Sequence, residues 1–301
     1  MLLYDGPPIR VEYFTDCINT GREGRNAEAR MAGAVWRELG APTSFVPMQY
    51  PSDGFEAAMT LVDIADEDRE SSLQPRQGRT IILGNAAPRA TTFGQFPNGR
   101  EFVWCEIGDT FGLFTLPNRF LSLAHRLGLV QKVYVLNAPK VAEWGMRQGY
   151  VTPEQAADMV DTPFRGAKFG ARAAGWVLQH RHEVPHERVL NLGTPSPPAG
   201  LVARIDTEGF GNAFLDVLPG DVGFTVGGRL QLAIDTWVNC YAGLSDIPPG
   251  EVGIVPSSSG YGRDRFLMAA LQGGSLEKHF GLEVGDPFLD PSMFARTLVR
   301  A

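Results

Sequence analysis

The sequence predicts an α/β protein of two domains: an N-terminal domain around a central, mainly parallel sheet, and a small antiparallel β-barrel domain. The chain has 301 residues, which at ~100–200 residues per domain suggests two domains. Strand-like and helix-like segments alternate up to about residue 180, as in α/β layers. Short β-rich runs separated by glycine and proline follow, which is typical of a small antiparallel sheet or barrel.

Each element follows from local patterns. Apolar residues at helical spacing predict helices, whereas short β-branched and aromatic runs bounded by turn residues predict strands. A proline-containing stretch after residue 183 predicts a linker. The predicted strands are 9–15, 43–48, 79–84, 101–106, 132–136, 200–206, 211–217, 229–235 and 251–256; the helices are 25–39, 52–66, 119–128, 153–161 and 166–180. The predicted domains are 1–183 and 199–301, with the linker at 184–198.

Composition excludes several partners. The formal net charge is −7 without a basic cluster, so neither nucleic acid nor an anionic membrane is an expected partner. No window approaches the ~20 apolar residues of a membrane-spanning helix, and no secretory leader is visible. We therefore expect a cytoplasmic protein. Cys17, Cys105 and Cys240 lie far apart and include no CxxC pair, which favours reduced thiols.

Three of the histidines lie close together in the sequence and are candidate metal ligands. His180, His182 and His186 have a spacing compatible with zinc binding. No acidic or cysteine partner is patterned around them, so a solvated connector is the alternative, and we predict no metal. The phosphate-loop, dinucleotide-fold and nucleophile-elbow motifs are absent from the sequence.

Two aspartates end predicted strands. Asp16 follows the first strand, where open α/β sheets bind ligands, and could accept both hydroxyls of a ribose; capping a turn is the alternative. Asp206 precedes Gly-Phe-Gly-Asn at 209–212. There Phe210 could stack on a ring and Asp206 could pair with an ammonium group. A β-bulge or hairpin without a ligand is the alternative.

Several short motifs occur in an order and spacing that match one enzyme family. They are Phe14-Thr-Asp16, Leu116-Pro-Asn118, Phe164-Arg-Gly-Ala-Lys-Phe169, Val202-Ala-Arg-Ile-Asp206 with Phe210-Gly-Asn212, Gly250-Glu-Val-Gly253, and residues 266–276. Over most of residues 9–286 the chain resembles the S-adenosylmethionine (SAM) hydroxide adenosyltransferases and their relatives, fluorinase and the SAM-dependent chlorinase.

The resemblance implies both assembly and chemistry. It implies a homotrimer, or a dimer of trimers, with each site between two subunits. In that site a nucleophile displaces methionine from C5′ of SAM without a metal. The implied substrate-binding residues are Asp16 for the ribose, Asp206 for the methionine ammonium, Phe210 and Asn212 on the adenine side, backbone of Gln272 and Gly273 at the adenine edge, and Asn118.

The sequence departs from the family where water is activated. Asn85 stands where the family hydrolases have aspartate, and Arg165 stands in the place of their histidine. An amide is not a base, and arginine stays protonated. We therefore predict an anionic nucleophile, a carboxylate or halide, with Arg165, Asn85 and Arg89 as catalytic residues.

Three alternatives remain open. The first is a SAM hydrolase that yields adenosine and methionine. The second is a protein that binds SAM or adenosine without turnover. The third is a site remodelled for another ligand around residues 257–264, where the sequence differs most from the family pattern.

Overall fold

The chain forms two compact units, each built from two separate stretches of sequence. The first unit comprises Met1–Ala57 and Glu67–Thr194, and the second comprises Ala58–Asp66 and Pro195–Ala301. The computed structural model describes residues 9–15, 32–36, 43–49, 55–72, 80–85, 101–115, 119–130, 132–161, 166–180, 183–206 and 210–297.

A seven-stranded sheet organises the first unit. Its strand order is β2-β1-β3-β5-β4-β6-β7. The strands are β1 (Ile9–Thr15), β2 (Thr43–Gln49), β3 (Thr80–Asn85), β4 (Phe102–Ile107), β5 (Thr110–Thr115), β6 (Val133–Leu136) and β7 (His186–Leu190).

The sheet is mixed, so the prediction of a mainly parallel sheet is not confirmed. The pairs β1–β2, β1–β3 and β3–β5 are parallel, whereas β4–β5, β4–β6 and β6–β7 are antiparallel. The change of direction comes from the β4–β5 hairpin, because β5 is parallel to β3 whereas β4 runs opposite to β5; the sequence analysis did not predict β5. Only Gly108 and Asp109 separate β5 from β4, and Gly108 has φ 56°. A two-residue turn of this kind forces an antiparallel hairpin.

Two helices of the first unit begin at recognisable side-chain caps. The Asn137 side chain accepts a hydrogen bond from Lys140 N, and Thr152 with Gln155 forms a capping box. The helices are α1 (residues 32–36), α2 (Phe55–Ser72, shared with the second unit), α3 (Ser122–Arg126), α4 (Ala138–Arg147), α5 (Pro153–Val160) and α6 (Ala171–His180), with one π-helical turn at Gly166–Gly170. Helix α4 was not predicted, although its Pro139 is in the first turn, where proline is tolerated.

Aromatic side chains fill part of the core of the first unit. The Trp144 and Trp176 rings meet edge to face at 5.8 Å. A Cβ at Gly145 would lie 2.3 Å from the Trp176 ring, so this position requires glycine. Cys105 is also buried in this unit, and burial raises the pKa of its thiol.

The predicted linker 184–198 is wrong over its first part. Residues His186–Leu190 form β7, which pairs with β6. Pro185 precedes the strand directly, a position where proline costs no ladder hydrogen bond. Of the histidine cluster, His180 lies 3.0 Å from the Tyr150 hydroxyl and His186 packs edge-on against Tyr134; His182 lies outside the described residues.

A six-stranded sheet organises the second unit. Its order is β10-β11-β12-β13-β9-β8, and only β11–β12 is parallel. The strands are β8 (Val202–Ile205), β9 (Ala213–Leu215), β10 (Arg229–Gln231), β11 (Trp237–Cys240), β12 (Val252–Tyr261) and β13 (Asp264–Leu271). Two short helices follow, α7 (Leu276–Phe280) and α8 (Ser292–Thr297).

The predicted barrel is not confirmed, because the six strands form an open sheet with β10 and β8 at its edges. Residues 285–290 bond to the ends of both edge strands. Val202 N donates to Asp286 O at 2.9 Å, and Ala233 N donates to Phe288 O at 2.9 Å. The sequence analysis assigned no element to residues 285–290.

Cys240 is the buried thiol of the second unit, and burial raises its pKa to about 11. Cys17 lies outside the described residues. Among the residues that the structure describes, no helix is long and apolar enough to cross a membrane.

Candidate functional site

The hairpin of β8 and β9 carries three of the predicted binding residues. Asp206 follows β8 and Asn212 precedes β9, and Asp206 N donates to Asn212 O at 2.9 Å. Gly211 N donates back to Asp206 O at 3.1 Å. The structure therefore brings Asp206, Phe210 and Asn212 together at one end of this hairpin.

Glycine is required at the hairpin tip. Gly211 has φ 59°, and a Cβ there would lie 2.2 Å from the Ser275 hydroxyl. The same approach lets Glu277 N donate to Gly211 O at 2.9 Å. The hairpin thus packs against the turn between β13 and α7, which contains Gln272 and Gly273. All five predicted residues of the second unit therefore belong to two adjacent segments.

The turn holds the two residues predicted to contact the adenine edge. Gln272 N donates to Glu251 O at 3.0 Å, and Gln272 O accepts from Gly250 N at 2.8 Å. Only the second lone pair of that carbonyl would be available to a ligand. Gly273 follows with φ 82° and is exposed. Ser275 then caps α7 by accepting a hydrogen bond from Lys278 N.

The hairpin presents a mixed chemical surface. Phe210 is 65% exposed, whereas Asp206 and Asn212 are half-buried. An exposed phenyl ring offers a face for stacking, a carboxylate accepts hydrogen bonds from a cation, and an amide both donates and accepts. This combination is suited to a ligand that carries a flat ring and a positive charge.

The other predicted site residues belong to the first unit. Asn85 is the last residue of β3, in register with Thr15 of β1, and so lies at the carboxyl edge of parallel strands. Asp16, Arg89, Asn118 and Arg165 lie outside the described residues.

A polar cluster next to the hairpin was missed by the sequence analysis. Asp63 of α2 accepts hydrogen bonds from Arg204 Nη1 at 2.8 Å, Ser259 Oγ at 3.0 Å and Gly260 N at 3.1 Å. Arg204 Nη2 also donates to Ser259 Oγ at 2.6 Å, and the guanidinium lies 4.3 Å from the centre of the Phe214 ring. We call Asp63, Arg204 and Ser259 the Asp63 cluster.

A second ion pair lies one turn further along the same helix. Asp66 accepts from Gly262 N at 2.8 Å and pairs with Arg265 Nη1 at 2.7 Å. Asp63 and Asp66 are three residues apart and therefore share one helix face. This spacing was the sequence signal that could have indicated the two ion pairs. Their partners on β12 and β13 could not be read from the sequence because nearly 200 residues separate them.

Residues 257–264, proposed above as a remodelled binding segment, form the end of the β12–β13 hairpin. Ser259 and the Gly260 and Gly262 amides are bonded to Asp63 and Asp66. The strand register shifts between Pro256 and Gly260, where Gly260 has φ 145°. In the described part of the chain this segment serves to dock helix α2.

No protein-family model matches the chain, and no curated protein matches it either.

Proposed function

We propose that the protein is a SAM-using enzyme in which an anionic nucleophile attacks C5′ of SAM and methionine is released. The observation that carries this proposal is the β8–β9 hairpin, where a carboxylate, an amide and an exposed phenyl ring are grouped around Gly211. SAM has the matching groups: a cationic ammonium and sulfonium, and a flat purine.

The hairpin supplies binding rather than bond-breaking groups. The Asp206 carboxylate is the acceptor proposed for the methionine ammonium, since such charge-assisted hydrogen bonds are the stronger kind. Phe210 offers its face to the adenine ring, and Asn212 offers donors and an acceptor to the ring edge. The Gly273 backbone is the further contact proposed at that edge.

The reaction needs little more than alignment. A lone pair of the nucleophile forms a bond to C5′ while the C5′–S bond breaks. The electron pair of the C5′–S bond stays on sulfur, which becomes the neutral thioether of methionine. An anionic nucleophile needs no base to remove a proton, whereas water does. Asn85, Arg89 and Arg165 include no base, so they suit an anion better than water. The protein must hold the reacting atoms in line and remove water from the anion.

The proposal extends to assembly and location. The resemblance favours a homotrimer or dimer of trimers with sites at subunit interfaces, acting in the cytoplasm. The bonds from residues 285–290 to both edges of the six-stranded sheet support a barrel-like second domain.

The test is incubation of purified protein with SAM, alone and with a panel of halides and carboxylates, with products identified by mass spectrometry. We expect a 5′-substituted adenosine that depends on one anion. Rapid adenosine release from SAM alone would favour the hydrolase instead. Micromolar SAM binding without any product would indicate a binding protein, and failure to bind SAM would contradict all three.

Asp206→Asn tests the binding site. Loss of a charged acceptor removes about 1.5–3 kcal/mol, so SAM affinity should fall by roughly tenfold or more, measured by titration calorimetry. The matched control is Asp246→Asn, an exposed acid of the same unit, which should bind SAM normally. Equal affinities for the two variants would leave Asp206 without a role.

A further inference from the structure

We infer that Asp63 and Arg204 are positioning residues that set the Asp206 carboxylate and its charge environment for a cationic substrate. This inference rests on the proposed function, because it assigns the methionine end of SAM to Asp206. It is carried by the Asp63 cluster, whose residues belong to the second unit together with the β8–β9 hairpin.

Arg204 and Asp206 share one face of the hairpin. Residues two apart on a strand point to the same side, and Arg204 lies opposite Phe214 in the register. The register shifts between Val202 and Arg204, which marks a β-bulge. Bulges re-aim the side chains that follow them, so this one determines where Arg204 and Asp206 lie.

The Arg204 side chain is fixed at three points. Its two terminal nitrogens bond to Asp63 and Ser259, and its plane lies over the Phe214 ring. The Arg204 and Asp63 side chains are only 22% and 24% exposed, so solvent screens this pair less than a surface ion pair.

Fixing Arg204 matters because β8 is an edge strand. In the described sheet its neighbouring strand is β9, and residues 285 and 286 bond only to its first residue, Val202, so the far end of β8 depends on side-chain anchors as well as on its backbone bonds to β9. Because Asp206 is proposed as a binding residue, a displaced carboxylate would weaken its charge-assisted hydrogen bond to the substrate ammonium. The Asp63 cluster anchors β8 at Arg204, two residues before Asp206.

The Asp63 cluster also neutralises the positive charge of Arg204 close to Asp206. Arg204 is about 7 Å from Asp206 along the strand, at ~3.3 Å per residue. Paired with Asp63, the guanidinium contributes little net field. Without the Asp63 charge, an uncompensated cation would lie beside the site proposed for the substrate ammonium, and like charges repel.

The structure offers a matched control. Asp66 lies on the same helix, and it docks the same β12–β13 hairpin through Gly262 and Arg265. The cation that pairs with Asp66 is Arg265, which lies on β13 and not on β8. A merely structural role predicts similar effects at Asp63 and Asp66, whereas a positioning role predicts that only Asp63 affects substrate binding.

The experiment compares Asp63→Asn, Asp66→Asn, Arg204→Gln and the Asp63→Asn/Arg204→Gln double variant by thermal unfolding, SAM titration and steady-state kinetics. Both single aspartate variants should lower Tm. Only Asp63→Asn should raise the Kd and KM for SAM, by roughly tenfold, with a smaller effect on kcat. That loss should shrink in 0.5 M NaCl, because salt screens the exposed cation.

The double variant tests the route of the effect. If Asp63 acts through Arg204, the double variant should have the Kd of Arg204→Gln alone, because coupled residues are non-additive. Ser259→Ala removes only the hydroxyl that contacts both residues and should raise Kd a few-fold. Should Asp63→Asn not fold, Ser259→Ala and Arg204→Gln carry the comparison with Asp66→Asn.

Two results would overturn the inference alone while leaving the proposed function intact. One is normal wild-type SAM binding with equal Kd values for the Asp63 and Asp66 variants. The other is strict additivity of Asp63→Asn and Arg204→Gln in the binding free energy. Failure of the wild-type protein to bind SAM would overturn the proposed function and this inference with it.

Discussion

Glu12 shows how one buried residue couples the fold to pH. The carboxyl is fully buried on β1 and pairs through Oε1 with Arg10, while among the described residues nothing hydrogen-bonds its Oε2. Burial raises the pKa of Glu12 above its usual 4.5; Arg10 opposes this shift, and Glu67 and Asp68 add to it. The folded state therefore binds the Glu12 proton more tightly than the unfolded state does.

A pH-dependent stability follows. A raised carboxyl pKa contributes stability below the unfolded pKa, and this contribution is lost as pH rises through the folded pKa. Glu12→Gln resembles the protonated form, so its free energy of unfolding, relative to wild type, should rise from pH 4 to pH 7. Urea titrations at several pH values measure this difference. Glu143→Gln, at an exposed position on α4, should show no such trend.

At the scale of elements, the start of β8 depends on one acid. Asp216 is buried and accepts hydrogen bonds from Leu201 N at 2.7 Å and Ala199 N at 3.2 Å. These bonds fix the chain just before β8, and Asp216 N donates to Leu201 O at 3.0 Å as well. The edge strand is thus held at its beginning by Asp216 and near its end by the Asp63 cluster.

Asp216→Ala should destabilise the protein by about 1.5–3 kcal/mol, because it removes the buried carboxylate that accepts hydrogen bonds from the Leu201 and Ala199 amides. Asp216→Asn keeps one acceptor oxygen and should cost less. Denaturant unfolding measures both. If Asp216→Ala unfolds at the wild-type midpoint, the amides find water or another acceptor and the anchor is dispensable.

The elements also show what local patterns can predict. Helices were predicted at 153–161 and 166–180. The structure has helices at Pro153–Val160 and Ala171–His180, the second preceded by the π-helical turn Gly166–Gly170. Strand β5 was missed because only two residues separate it from β4, so no loop marked its start. The tip of the β8–β9 hairpin was recognisable from Asp206 and the Gly-Phe-Gly-Asn sequence at 209–212, because turn signals are local in the sequence.

Contacts between residues far apart in the chain could not be predicted from the sequence. Asp63 and Arg204 are 141 residues apart, and no periodicity relates them. The bonds of residues 285–290 to two strand ends were equally invisible. The sequence therefore supported the candidate ligand residues of the hairpin, but not the ion pairs that hold that hairpin in place.

At the scale of the whole molecule, the second unit needs residues 58–66. A fragment of residues 195–301 alone would lack Asp63 and Asp66, leaving Arg204 and Arg265 without these carboxylates. We expect it to unfold at lower temperature than the second unit of the full chain. A peptide of residues 55–72 added in trans should raise that temperature, whereas a peptide with Asp63→Asn and Asp66→Asn should not. Equal melting with and without the first peptide would contradict this.

The same discontinuity has a consequence in time. Ribosomes add about 5–20 residues per second, and Asp63 is synthesised 196 residues before Ser259. Helix α2 therefore waits about 10–40 s for the strands that cover its carboxylates. During that interval Asp63 and Asp66 lack the partners that β8, β12 and β13 later supply, which makes this a stage at which a chaperone would have something to protect.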